Sequence, residues 1–186
     1  MERQRVESVA RIAELRMEVE RKKITQWVVK FVPISEEEAT EQLYRLGIDI
    51  TKNTMYTLHT NTMKAPAEPE EYDNTRGTIT LRESRPNNTK NATLGRRGLG
   101  LRSTLISQEI CDVSLTAHVF GSGSSESVGC SLKINMKKAP HEHAVYVNGH
   151  KLDMDVGVEK PLFGRIISFF GPTRFAYRVT ISRETI

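Results

Sequence analysis

The chain has 186 residues, of which 38% are hydrophobic and 27% charged, a balance that suits one folded domain with its own core. Its formal net charge of +4 favours an anionic partner, such as a nucleic acid or an acidic membrane surface. No apolar run approaches the roughly 20 residues that cross a bilayer, so we expect any membrane contact to be peripheral. The amino terminus is charged and has no apolar signal segment, so Cys111 and Cys130 are expected to be free thiols of a protein that is not secreted.

The first predicted element is an amphipathic helix from about Arg3 to Lys22, whose apolar residues cover one broad side at a 3.6-residue period. These apolar residues are Val6, Val9, Ala10, Ile12, Ala13, Leu15, Met17 and Val19. Two interpretations stay open: the helix packs on its own domain, or Val9, Ile12 and Leu15 dock on a neighbouring subunit. The chain is therefore divided into a helical arm, residues 1–22, and an α+β domain, residues 23–186.

A strand and a short helix are predicted next. Ile24–Ile34 is rich in β-branched and aromatic residues, and Pro33 is expected to end the strand or place it at an edge. Ser35 is predicted to cap the following helix, with Glu38 three residues later completing a capping box. Gly47 is expected to end that helix. The side chains expected to face inward are Ala39, Leu43, Tyr44 and Leu46.

The centre of the chain carries its strongest charge feature. A weak strand over Asn53–Met63, an acidic loop over Lys64–Asn74 and a strand over Thr75–Arg82 are followed by a basic loop at about 83–102. Seven basic residues face one acid, Glu83, in this part of the chain, and we predict that the basic residues bind a polyanion rather than form a merely solvated surface. They are Arg76, Arg82, Arg85, Lys90, Arg96, Arg97 and Arg102. The glycines and asparagines around them are expected to make the loop mobile and adaptable.

The second half of the chain is predicted to be mainly antiparallel strands. The expected elements are a short helix over Leu99–Ile110, strands over Val113–Phe120, Val128–Met136, His143–Val147 and Lys151–Val156, a compact apolar run over Leu162–Phe170, and a last strand over Phe175–Ile181. The first hairpin places Cys130 near Ala117, and Asn148–Gly149 is a strong turn signal for the second hairpin. Together these elements predict an α+β fold, a single domain with a mainly antiparallel β-sheet and a few helices.

Motifs for catalysis and metal binding are weak. His141, Glu142 and His143 are neighbours on a predicted loop and do not converge as histidines at i and i+4 of a helix do. No nucleophile elbow surrounds a serine, and Gly95–Gly100 lacks the Lys-Ser/Thr pair that ends a phosphate-binding P-loop. We therefore predict a binding or assembly protein that is not an enzyme and has no metal or other cofactor.

The segment Lys160–Gly171 contains three of the six phenylalanines, Phe163, Phe169 and Phe170. In one interpretation these side chains belong to the core. In the other they form an exposed patch, beside Lys160, Arg165 and Arg174, that inserts into a membrane interface or fits a neighbouring subunit. Contact between copies is also suggested by the acidic segment Glu68–Asp73, whose charge complements the basic loop.

Taken together, these features resemble the matrix proteins of rhabdoviruses, including the smaller ones of plant-infecting members. The resemblance depends on the small, basic, single-domain chain without a catalytic motif, on the strand-then-helix unit Gln26–Leu46, and on two local patterns. The local patterns are the strand Arg76–Leu81 and the apolar run Lys160–Gly171, which ends in Phe-Phe-Gly. Animal members often carry a Pro-Pro-x-Tyr budding motif, which this sequence lacks.

The resemblance implies a structural protein of the virion and the host cytoplasm. Such proteins self-associate, condense the nucleocapsid helix and bridge it to the envelope membrane. The implied partners are further copies of the chain, the viral nucleocapsid or RNA, and an acidic membrane surface. The basic loop would then contact nucleocapsid or lipid, while the amino-terminal helix and the apolar run would contact subunits or membrane. The alternative is an RNA-binding viral coat, movement or silencing-suppressor protein, which would bind naked RNA at low salt.

Overall fold

The computed structural model describes residues 2–21, 25–48, 50, 77–85, 87–100, 106–120, 127–162 and 164–185. Helices α1 and α2 span Glu2–Arg21 and Glu36–Arg45. The strands are β1 Thr25–Pro33, β2 Ile79–Glu83, β3 Thr89–Leu94, β4 Cys111–Phe120, β5 Ser127–Met136, β6 Val145–Val147, β7 His150–Lys151, β8 Glu159–Pro161, β9 Ile166–Phe169 and β10 Tyr177–Thr185. The predicted α+β class and the helix at the amino terminus are confirmed.

The strands form two antiparallel sheets. A six-stranded sheet has the order β2-β1-β10-β9-β6-β7, and a four-stranded sheet has the order β3-β4-β5-β8. The first and last strands, β1 and β10, pair along their whole length, from Thr25 opposite Thr185 to Pro33 opposite Tyr177. In the four-stranded sheet, β4 and β5 likewise pair along their whole length, from Cys111 opposite Met136 to Phe120 opposite Ser127.

Apolar side chains from both sheets meet in one core. Val29 and Phe31 of β1 contribute from the six-stranded sheet, and Val113, Leu115 and Ile134 contribute from the four-stranded sheet. All five side chains are buried, as the alternation of inward and outward positions along a strand requires. The core therefore holds the two sheets together as one unit.

Helix α2 begins and ends as predicted. The Ser35 hydroxyl accepts a hydrogen bond from the Glu38 N–H at 3.1 Å, and Gly47 has a left-handed φ of +80° just beyond the helix. Leu43 is fully buried, but the prediction was wrong for Tyr44 and Leu46, which are 70% and 46% exposed. The next residue along a helix is rotated by about 100°, so Tyr44 turns away from the surface that Leu43 covers.

Helix α2 packs through a second, smaller apolar cluster. Ala39 and Leu43 of the helix meet three side chains of the six-stranded sheet and its flanks. These are Ile34, directly after β1, Ile166 in β9, and Ala176, directly before β10. This cluster is separate from the core between the sheets, so the helix covers other side chains of the six-stranded sheet.

Both predicted hairpins are confirmed, with shorter strands in the second. Cys130 pairs with Ala117, and the two cysteines are free. Asn148 and Gly149 have φ values of 49° and 76°, the left-handed conformation at both central positions that a type I′ turn requires. The Asn148–Gly149 turn therefore fixes the register of β6 and β7, in which Val147 lies opposite His150.

Other boundaries differ from the prediction. Among the described residues of Leu99–Ile110, none is helical, because the backbone pairs with distant strands: Ile110 N–H donates to Leu94 O at 2.8 Å. Strand β2 begins at Ile79, later than expected, and β10 extends to Thr185. The strand predicted over Asn53–Met63, the acidic loop Lys64–Asn74 and its segment Glu68–Asp73 lie outside the described residues.

Candidate polyanion interface

The predicted basic loop contains a strand. Thr89–Leu94 forms β3, which lies at an edge of the four-stranded sheet and pairs with β4, Lys90 opposite Leu115. Leu94 is buried and Ala92 is half-buried against the core, so they anchor this strand from below. The expectation of a continuous mobile loop was therefore wrong, because the Thr-rich segment gains both a pairing partner and a buried side.

Four of the predicted cations lie on this edge strand or in the turns at its two ends. Arg85 lies in the turn before β3, Lys90 lies on the strand, and Arg96 and Arg97 lie in the turn after it. A six-residue strand is about 20 Å long, and the cations lie on it and in the turns at its two ends. Arg85, Lys90 and Arg97 are exposed, and Arg96 is half-buried. We call these four residues the β3 edge cluster.

The turn before β3 is fixed by Glu83, which is 7% exposed. One carboxylate oxygen, Oε1, accepts hydrogen bonds from the backbone N–H groups of Ser84 at 2.9 Å and Arg85 at 2.8 Å. The other oxygen, Oε2, accepts from Asn88 Nδ2 at 3.0 Å. The Glu83 carboxylate is therefore bound by neutral N–H donors and not by an arginine side chain, so the Arg85 guanidinium remains available for other contacts.

The turn after β3 is fixed by close backbone packing. A Cβ atom added at Gly95 would overlap the carbonyl oxygen of Gln108, and one added at Gly98 would overlap that of Thr93. Arg96 N–H donates to Ser107 O at 2.9 Å, which ties the turn to the segment before β4. The glycines are thus required for close approach, and the sequence prediction that they provide mobility was wrong.

The same turn is anchored in the core. Leu99 is 1% exposed, and its carbonyl oxygen accepts a hydrogen bond from the buried Tyr177 hydroxyl at 3.1 Å. Tyr177 belongs to β10 in the other sheet, so the anchor crosses between the sheets. Arg96 and Arg97 are consequently carried by a backbone that is held at several points.

The edge cluster is not neutralised within the described part of the chain. None of its four cations forms an ion pair with a described residue, whereas Lys137 lies 3.3 Å from Glu109 and 3.5 Å from Asp112. Arg82 differs from the cluster because it pairs with Glu184 at 3.0 Å, across the surface of the six-stranded sheet. The structure therefore groups four of the seven predicted cations and sets Arg82 apart.

Two of the predicted cations, Arg76 and Arg102, lie outside the described residues. Glu83 and Tyr177 were not predicted to take part in this surface. Their role depends on contacts across the fold, which local sequence patterns do not contain. An isolated acid inside a basic segment was the one sequence signal for Glu83.

Two of the three phenylalanines in the predicted contact patch, Phe169 and Phe170, are part of the core. Phe169 and Phe170 are 0% and 4% exposed, so their assignment to self-association or membrane contact was wrong. Strand β9 lies between β10 and β6, and Phe169 meets Tyr177 edge-to-face at 6.4 Å between ring centroids. Phe170 meets Phe175 in the same way at 5.8 Å. Phe163 lies outside the described residues.

The amino-terminal helix presents apolar side chains to solvent. Val9, Ile12 and Leu15 are 67%, 52% and 53% exposed, and every described side chain from Val6 to Met17 is exposed. The interpretation that this helix packs on its own domain therefore fails for those residues. None of the described helices is long and apolar enough to cross a membrane.

A serine–histidine pair lies beneath the turn after β3. Ser107 Oγ is 2.8 Å from His143 Nε2, and His143 Nδ1 is buried without a hydrogen-bond partner among the described residues. Burial lowers the pKa of His143, and Lys138 lowers it further against the opposite effect of Glu142. The pair ties His143 to the segment that holds Arg96, which is a structural role.

Metal ligands do not gather in the described ranges, where no group of three or more His, Cys, Asp or Glu side chains could hold an ion. Comparison with known proteins adds no relative: no protein-family model, curated protein or solved structure matches the chain. Function is therefore inferred from the sequence and from the surfaces described above.

Proposed function

We propose that the chain is a non-enzymatic, matrix-type structural protein of a virion. It self-associates and bridges or condenses a nucleocapsid at a membrane surface. The observation that supports this proposal most is the β3 edge cluster, because its cations are exposed or half-exposed, are carried by fixed turns and have no ion-pair partner in the described ranges. A surface of this kind attracts phosphates or acidic lipid headgroups.

The chemistry of the cluster favours contact with phosphate groups rather than with bases. Arginine donates two parallel hydrogen bonds to a phosphate, and lysine contributes a compact positive charge. The cluster itself contains no aromatic side chain on which a base would stack. Because the turns are held by Glu83 and by Leu99, little backbone freedom is lost on binding. We expect sequence-independent, salt-sensitive binding.

Membrane contact in this proposal is peripheral and electrostatic. With Phe169 and Phe170 in the core, the aromatic run supplies no inserting side chain from these two positions. The cations of the edge cluster make the membrane contact instead, since each basic residue near an acidic leaflet contributes about 1 kcal/mol of binding free energy. Self-association is assigned to α1, whose apolar side chains are exposed.

The proposal is tested by light scattering and by binding across a salt series, with RNA and with acidic vesicles. The test variant replaces Arg85, Lys90 and Arg97 by glutamine. The matched control replaces three other exposed cations, Lys138, Lys160 and Arg165, and so removes the same charge. Each phosphate contact that is lost should reduce the slope of log affinity against log salt by about 0.7–0.9.

We therefore expect the test variant to lose about 2–3 from that slope, and the control to lose much less. We also expect wild-type protein without RNA to grow into large, salt-sensitive assemblies. Equal losses in the two variants, or wild-type protein that binds neither RNA nor acidic vesicles, would show that the edge cluster is not the contact surface.

A second candidate function is supported by the same cluster. An RNA-binding viral coat, movement or silencing-suppressor protein would use these cations on naked RNA. It would remain a monomer or small oligomer without RNA and would grow when RNA is added. The same scattering series therefore separates the two functions by what happens before RNA is present.

A further inference from the structure

The outer face of the four-stranded sheet, which points away from the core, carries a row of polar side chains beside the β3 edge cluster. Val113 and Leu115 of β4 are buried in the core, so Ser114 between them points to the outer face. Asn91 of β3 and Lys133 of β5 lie directly opposite Ser114 and therefore share its face. We call Asn91, Ser114 and Lys133 the donor row.

The donor row crosses three neighbouring strands. Adjacent strands are about 4.8 Å apart, so the row extends about 10 Å across the sheet. It begins at Asn91, the neighbour in sequence of Lys90 in the edge cluster, and ends at Lys133 on β5. Its side chains present an amide, a hydroxyl and an ammonium group, each of which donates hydrogen bonds.

The rows on either side are closed by hydrogen bonds of their own. On one side, Thr89 Oγ1 lies 2.8 Å from Thr116 Oγ1. On the other side, Thr93 Oγ1 donates to Asp112 Oδ1 at 2.7 Å. The amide and the hydroxyl of the donor row form no hydrogen bond within the described part of the chain. Their hydrogen-bonding capacity is therefore available to a ligand.

The lysine of the row is held loosely, and carboxylates flank it. Lys133 Nζ lies 3.7 Å from Glu159 Oε2, and the two side chains are 45% and 52% exposed, so this ion pair contributes little. Asp112, in the next row, also lies 3.5 Å from Lys137. Two acids thus accompany one lysine around the row, which offers directed hydrogen bonds rather than an excess of positive charge.

We propose that the donor row binds the sugar–phosphate backbone of RNA, which continues from the β3 edge cluster across the outer face of the sheet toward β5. Phosphate oxygens accept hydrogen bonds from all three side chains of the row. The Asn91 amide and the Ser114 hydroxyl both donate and accept, so they also bind a ribose 2′-hydroxyl. This inference rests on the proposed function, because the edge cluster supplies the long-range attraction that the row lacks.

RNA fits this face better than an acidic leaflet does. A leaflet attracts basic residues through its negative surface potential, which Asp112 and Glu159 oppose. The same carboxylates can accept hydrogen bonds from ribose hydroxyls, and a leaflet of acidic headgroups does not satisfy them in this way. The mixture of donors and acceptors around the row therefore favours a ligand that also carries both.

The test measures the affinity of the full-length chain for a uridine oligonucleotide of about 16 nucleotides and for its deoxyuridine counterpart, by fluorescence anisotropy across a salt series. The row variant combines Asn91→Ala with Ser114→Ala and leaves the net charge unchanged. The matched control combines Thr180→Ala with Ser182→Ala, which removes two exposed hydroxyls from β10 in the other sheet. Urea midpoints establish that both variants are folded.

We expect the row variant to bind RNA at least about fivefold more weakly than the wild type, because neutral hydrogen bonds are lost. The slope of log affinity against log salt should stay the same, since no charge is removed. The affinity for DNA should fall less, because the ribose contact is absent there. Wild-type affinity in the row variant, or a control that loses as much, would overturn the donor row. Equal losses for RNA and DNA would overturn the ribose contact and the choice of RNA.

A single substitution provides a second measurement that does not depend on the double variant. Lys133→Gln should lower the salt slope for RNA by about 0.7, the value for one phosphate contact of a single strand. The control is Lys138→Gln, an exposed lysine after β5, which should keep the wild-type slope. Equal slopes for the two variants would show that Lys133 contacts no phosphate.

Acidic vesicles separate RNA from a lipid ligand. The row variant should bind them as the wild type does, because the edge cluster is intact. A loss of vesicle binding as large as the loss of RNA binding would overturn the assignment of this face to RNA.

Failure of this inference is distinguishable from failure of the proposed function. If the row variant keeps wild-type affinity while replacement of Arg85, Lys90 and Arg97 still weakens RNA binding, the donor row is overturned and the edge cluster stands. If wild-type protein binds neither RNA nor acidic vesicles, the polyanion contact of the proposed function is overturned, and the donor row with it.

Discussion

Replacing Glu83 by alanine should destabilise the fold more than any ordinary surface substitution. The carboxylate is 7% exposed and accepts three hydrogen bonds, two from the backbone amides of Ser84 and Arg85 and one from Asn88. Hydrogen bonds to charged groups contribute about 1.5–3 kcal/mol each. The three donor residues, Ser84, Arg85 and Asn88, are exposed, so water replaces part of the lost hydrogen bonding. We therefore expect Glu83→Ala to lower the free energy of unfolding by about 3 kcal/mol in total.

Two milder variants separate the contributions. In Glu83→Gln the side-chain carbonyl still accepts from both backbone amides, and the Asn88 amide can rotate to accept from the new NH₂ group. We therefore expect a loss of about 1 kcal/mol for Glu83→Gln. Asn88→Ala removes one hydrogen bond at an exposed position and should cost about 1 kcal/mol or less.

The assay is urea unfolding at pH 7, from which the free energy of unfolding and its slope are obtained. The matched control is Glu159→Ala, which removes an exposed acid 3.7 Å from Lys133 and should change stability by less than about 1 kcal/mol. If Glu83→Ala costs no more than this control, the buried carboxylate does not hold the turn. In that case the turn that carries Arg85 is not fixed by Glu83.

Two further predictions concern the surroundings of the same turns. Gly95→Ala should destabilise the fold by at least about 3 kcal/mol and lower Tm by about 6–12 °C, because the new Cβ overlaps a backbone carbonyl oxygen. The control is Gly77→Ala, whose Cβ would lie in open space and should leave Tm unchanged. Equal Tm values for the two variants would contradict the prediction that Gly95 is required for close packing. The lowered pKa of His143 means that the folded state binds its proton less readily than the unfolded state. The contribution of His143 to stability is therefore complete above the ordinary pKa of 6.5 and declines as the pH falls below it. In His143→Phe, the urea midpoint should change less between pH 7 and pH 5 than it does in the wild type. An equal change in both proteins would show that His143 does not cause the pH dependence of stability.

Local signals in the sequence predicted much of the fold. Ser35 and Gly47 mark the ends of α2, and Asn148–Gly149 forms the tight turn that its residue types require. The pairing of Cys130 with Ala117 followed from the centre of the predicted hairpin. Such features depend on neighbours in the chain, and for that reason they can be inferred without the tertiary structure.

The parts that the sequence did not predict depend on distant contacts. An apolar run such as the one ending in Phe169 and Phe170 is compatible with a core strand or with an exposed patch, and the position of β9 between β10 and β6 decides between them. Gly95 was predicted to provide mobility, but the carbonyl oxygen of Gln108, from another segment, lies close against it. In the candidate site, residue types indicated the cations, but only the strand pairing grouped four of them.

The pairing of β1 with β10 has a consequence for the synthesis of the protein. Thr25 lies opposite Thr185, so the middle of the six-stranded sheet cannot form until nearly the whole described chain has left the ribosome. At the usual rate of about 5–20 residues per second, β1 waits on the order of 10 s for its last neighbour. During that interval Val29 and Phe31, which end in the core, have no β10 beside them. The nascent chain therefore lacks part of the cover for these apolar side chains until β10 arrives, which is a hazard for aggregation.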